Sequence, residues 1–123
     1  MSELDDFGQT LMRDIRDRVI RELFSQLGER ADGPIPLQLV QQISGSGDDT
    51  AVRHAIVDAV DNTIAGFLFF LHGSVSGMDV KFSVFGPSGT DLASMSDGIH
   101  TEPFGPKGWI EKYSTFPEDL AGP

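Results

Sequence analysis

Met78-Asp-Val-Lys-Phe-Ser-Val-Phe-Gly-Pro-Ser-Gly-Thr-Asp-Leu-Ala-Ser-Met-Ser96 is the stretch on which the fold class turns. Val80, Phe82 and Val84 alternate with Lys81, Ser83 and Phe85, and this period of two predicts a strand from Met78 to Phe85. Gly86-Pro-Ser-Gly89 reads as a compact turn, and Thr90 to Ser96 as the returning strand of a β-hairpin, with Asp91 its weakest member. Two strands alone are marginal in water, so the hairpin must pack on helices or pair with another copy.

Upstream, the period is helical. Leu4, Phe7, Leu11, Ile15, Val19, Leu23 and Leu27 recur every three or four residues and predict a long amphipathic helix that Gly28 ends. Its other side carries Arg13, Asp14, Arg16, Asp17, Arg18, Arg21 and Glu22, mixed charges that read as a solvated face. Gly33, Pro34 and Pro36 break the pattern, and Leu37 to Ile43 reads as a short helix. After the turn at 45–50, a second long helix runs to about His72, its apolar stripe being Val52, Ile56, Val60, Thr63, Ile64 and Phe67. His54, Asp58, Asp61 and Asn62 gather on its other side. Beyond Ile64 that polar side vanishes, so the end of this helix should be covered by the C-terminal segment or by a second copy of the chain.

Downstream, Trp109, Ile110 and Tyr113 stand at helical spacing and predict a short helix that lays an aromatic face on the core. Long helix, short helix, long helix, hairpin and short helix together predict a single α+β domain over residues 1–123, of a size that buries roughly two-thirds of the unfolded surface.

Composition narrows function. The chain has no cysteine, which removes disulfides, thiolate catalysis and Cys-ligated zinc. Net charge is −10, and residues 31–123 hold twelve acids against Arg53, Lys81, Lys107 and Lys112. Such a body repels phosphate, which disfavours direct nucleic-acid binding and an acidic membrane surface, and it suits a basic protein partner. The run from Ile64 to Leu71 is far shorter than a membrane span, and the acidic start has no basic region followed by an apolar run, so a cytoplasmic location is expected.

Chemistry-bearing residues concentrate between Ser96 and Ser114. Asp97, His100 and Glu102 place one imidazole and two carboxylates in a Gly-containing loop, a spacing able to supply part of a metal site or an acid–base pair. A turn at Asp97-Gly98 with a solvated Glu102 accounts for the same residues. His54 and Asp58 read as an exposed pair one helical turn apart, and no phosphate loop or nucleophile elbow occurs. No catalytic, cofactor-binding or metal-binding residue is therefore assigned. The expected contact loop comprises Asp97, His100, Glu102, Phe104, Trp109 and Tyr113.

Ser96-Asp-Gly-Ile-His100, Glu102, Gly108-Trp-Ile110 and Tyr113-Ser114, together with the helix Val52 to Leu71, resemble small bacterial proteins, some of them immunity partners of toxins. That resemblance implies a cytoplasmic protein that binds another protein and has no catalytic residues to carry over. The expectation is thus an interaction protein, in its specific form an immunity-like inhibitor of a basic toxin. The alternatives are a metal- or ligand-binding protein or minor enzyme using Asp97 to Glu102, and a structural homodimer.

Overall fold

The first helix begins where Ser2 accepts a hydrogen bond from the Asp5 amide at 3.1 Å. Glu3, Asp5 and Asp6 fill its first turn, where carboxylates oppose the positive end of the helix dipole. This helix, α1, is α-helical over Glu3–Thr10, π-helical over Leu11–Arg16 and α-helical again over Asp17–Gln26. The structure is a computed structural model that describes residues 2–27, 49–71 and 83–118.

The π-helical stretch changes which residues face inward. A π turn closes with i→i+5 bonds and holds about one residue more than an α turn, as when the Asp17 amide donates to the Met12 carbonyl. Every residue beyond it is set back by one position. Leu4, Gly8, Leu11 and Met12 are buried as an apolar stripe requires, but further on Arg16 and Ile20 turn inward where Ile15 and Val19 are expected. Ile15 is 50% exposed and Val19 38%.

The second helix, α2, spans Asp49–Leu71 and runs antiparallel to α1. The pairing fixes this direction: Arg16 meets Asp61, while the Arg53 guanidinium lies 4.6 Å from the centre of the Phe24 ring. Its buried row is Val57, Asp61, Ile64, Leu68 and Leu71, at steps of three and four. The row is displaced from the apolar stripe read in the sequence, so Ala59, Thr63 and Phe67 remain exposed. By length and mean hydropathy, Thr50–Leu71 meets the minimum for a bilayer-crossing helix, unlike the shorter run at its end; it also carries Arg53, Asp58 and Asp61.

The remaining described chain wraps this pair. Short 3-10 turns at Leu92–Met95 and Ile99–Thr101 lead into the helix α3, Trp109–Tyr113. The turn at Ile99–Thr101 lies against α2, and α3 lies against α1. Trp109 is the centre of that contact. It sits on Gly8, where an added Cβ would fall 2.3 Å from the indole, and meets the Phe7 ring edge-on at 6.0 Å. Leu4, Leu11, Met12, Ile64, Leu68, Leu92, Ile99, Trp109 and Ile110 make one continuous core.

The α+β assignment is overturned. Among the described residues there is no strand and no hairpin, only an isolated antiparallel bridge between Phe85 and Asp91, and the fold is mostly helical. Gly86 to Gly89 does turn the chain: the Gly89 amide donates to Gly86 O at 2.9 Å, and Gly89 takes a φ of 86°. The returning limb then departs from a strand. Asp91 accepts the Ala93 amide through its side chain at 3.1 Å and the Ser94 amide through its carbonyl, starting a 3-10 turn in place of a ladder. Most of the expected first strand, Met78 to Phe82, lies outside the described residues, as do the expected helix at Leu37 to Ile43 and the Gly28 stop.

Candidate functional site

The expected contact loop divides into residues that hold the fold and residues at its surface. Glu102 accepts the Ser96 hydroxyl at 2.7 Å, and Ser96 Oγ accepts the Gly98 amide at 3.1 Å, which ties the loop to itself. His100 lies on α2, its ring edge-on to Phe69 with centroids 4.8 Å apart. Asp97 is exposed. The three side chains therefore have separate settings, and no three His, Asp or Glu side chains among the described residues group closely enough to hold a metal. Trp109 is fully buried, Phe104 and Tyr113 partly so, each packed on the core. Arg13 reaches Tyr113, Nε donating to the Tyr113 carbonyl at 3.4 Å with the guanidinium 6.0 Å from the ring centre.

A second arrangement escaped the sequence reading. Arg16 has no exposed surface, and it binds Asp61 bidentately, Nε to Oδ1 at 2.6 Å and a terminal nitrogen to Oδ2 at 3.1 Å. Its remaining donors go to Ser114 Oγ at 2.7 Å, to the Phe116 carbonyl, and to the Pro117 carbonyl at 3.3 Å. The Ser114 hydroxyl in turn donates to Asp17, whose other oxygen accepts the Thr115 amide at 3.0 Å. One buried cation thereby joins α1, α2 and the segment after α3. A guanidinium can do this because its rigid fork offers five donors, and burial is tolerable because those donors have partners. The sequence signal was the row Met12, Arg16, Ile20 at steps of four, which runs beside the more apolar row that includes Ile15 and Val19.

The third arrangement lies on the outside of the helix pair. Ile15, Val19, Ala59, Val60, Thr63 and Ile64 line an apolar groove of about 240 Å³ between α1 and α2. Phe67, 50% exposed, stands one turn beyond Thr63 on the same face. The Thr63 hydroxyl donates to the Ala59 carbonyl at 2.8 Å, within its own helix. The one polar side chain in the groove therefore needs nothing from a visitor and can present its methyl group. A cavity of about 450 Å³ opens near the start of α2, among Phe24, Thr50, Arg53, His54, Phe116 and Pro117.

No protein-family model matches the chain, and neither curated proteins nor solved structures give a match.

Proposed function

We propose that the protein works by binding another polypeptide, with the groove between α1 and α2 as its principal contact. The carrying observation is that groove: half-exposed Ile15 and Phe67 flank a channel with no charged side chain in its lining. Water gains by leaving such a surface, at about 25 cal/mol for each Å² covered. The acidic surface, −10 overall, adds a preference for a basic partner, which is the form implied by the resemblance to immunity proteins.

The test is a photo-reactive phenylalanine analogue placed at Val19 or at Phe67 and irradiated in cells. Adducts of defined mass with a polypeptide are expected at both positions and not at exposed Asp97. Equal labelling at all three positions, or no protein adduct, refutes the groove as a contact.

A further inference from the structure

We propose that the cavity of about 450 Å³ near the start of α2 binds a small aromatic carboxylate, held through the Arg53 guanidinium. The site is separate from the groove between α1 and α2 and goes beyond the interaction reading.

The residues around this cavity differ in kind from the rest of an acidic chain. Arg53 and His54 bring a guanidinium and an imidazole, Thr50 and Thr115 bring hydroxyls, and Phe24, Phe116 and Pro117 are apolar. The chain carries 19 Asp and Glu residues, yet none is among the described residues that line the cavity. In a molecule of net charge −10, that is a place where an anion meets no carboxylate at contact distance.

Arg53 is held ready for one. Its guanidinium carbon lies 4.6 Å from the centre of the Phe24 ring, and among the described residues no carboxylate pairs with it. A ring attracts the guanidinium as a cation and accepts none of its N–H bonds in the way an oxygen does, so the donor fork stays open to a planar acceptor. A carboxylate takes two of those donors at once.

The apolar residues select the other end of the ligand. Phe24 and Phe116 meet edge-on, with centroids 5.5 Å apart and ring planes at 86°. Two perpendicular rings make a corner against which a third ring can set its face to one and its edge to the other. One side of that corner is fixed beforehand, because Arg16 binds the Phe116 and Pro117 carbonyls, and a ligand need not order it on arrival.

Size and charge narrow the class further. Sites for small organic ligands run from about 300 to 1,000 Å³, and this cavity falls within that range. Arg53 is the one permanent cation among the described lining residues and balances a single negative charge. The field of a −10 chain opposes a doubly charged phosphate ester more strongly than a carboxylate.

Benzoate, phenylacetate and indoleacetate, titrated into the purified full chain, test the site directly. At least one should bind with a dissociation constant below about 1 mM, raise the thermal midpoint, and shift the backbone amide NMR signals of Phe24, Arg53 and Phe116. Its neutral amide, which keeps the ring and loses the charge, should bind about 10-fold more weakly or worse, and so should acetate, which keeps the charge and loses the ring. That comparison leaves the chain unaltered. Arg53→Gln should weaken the carboxylate by about 10-fold or more with helical circular dichroism retained, and Arg53→Lys should keep part of the affinity, having the charge without the fork. Failure of all three carboxylates to bind overturns the inference. So does equal binding of the amide, or an affinity indifferent to Arg53→Gln. None of these outcomes bears on the photo-adducts at Val19 and Phe67, so this site and the interaction reading fail separately.

Discussion

At the scale of single residues, Arg16 shows why a charged residue on an amphipathic helix is hard to place by pattern alone. Its neighbours Asp14, Arg18 and Glu22 are exposed, and counting charges groups Arg16 with them. Only the contacts distinguish it: two bonds to Asp61 and three to the chain near Ser114 make it the most heavily used donor described. Removing the cation leaves Asp61 and Asp17 in low-dielectric surroundings without it. Arg16→Ala should lower unfolding free energy by about 3–5 kcal/mol, measured by urea titration at neutral pH. For a domain of ordinary stability that is a large fraction of the total. The double variant Arg16→Met, Asp61→Leu should recover part of the loss, because it removes the Arg16–Asp61 charge pair but leaves buried Asp17 and the Phe116 and Pro117 carbonyls without their donor. Trp109 was readable by a simpler rule. A sole tryptophan four residues from Tyr113, at helical spacing, marks an aromatic face on the core, and it lies there; the sequence held no sign that its seat would be Gly8, a hundred residues earlier.

At the scale of elements, the two long helices were legible because a 3.6-residue period over some twenty positions is a strong signal. Which side of each helix faces inward was less so. Ile15 and Val19 continue the apolar row by spacing, yet the π-helical stretch at Leu11–Arg16 sets the later residues back and leaves both outside. A periodicity argument assumes a constant turn and cannot register one extra residue. The hairpin was misread for a related reason: Val80 to Phe85 alternates well, but Asp91 bonds its own backbone, and that local bond decided the returning limb. If the π stretch holds one surplus residue, deleting exposed Asp14 should let α1 close with i→i+4 bonds throughout while Arg16 and Ile20 keep facing inward. The thermal midpoint of that deletion variant is expected to stay within a few degrees of the parent. Deleting Glu22, in the regular part of the helix, should lower the midpoint much further, since no surplus residue absorbs the shift.

At the scale of the whole molecule, the acidic charge and the apolar groove were both present in the sequence, but only the charge was easy to see. The groove exists because two helices each leave part of their apolar stripe outside, a fact about pairing that neither stripe contains. The loop at Asp97 to Glu102, which drew most of the chemical interest, is held by its own hydrogen bonds and by the His100–Phe69 contact. The clasp on Arg16 also bears on how the chain is made. Its partners Ser114, Phe116 and Pro117 lie 98 to 101 residues downstream, which at about 5–20 residues per second means a wait of roughly 5–20 s during synthesis. A chain stopped at Tyr113 holds both long helices and Trp109 but lacks the acceptors that complete the clasp. It is expected to bind chaperones and to be digested by protease faster than the full chain, as pulse proteolysis of the two would show. Until those downstream residues arrive, an early helix carries a cation whose full set of acceptors does not yet exist.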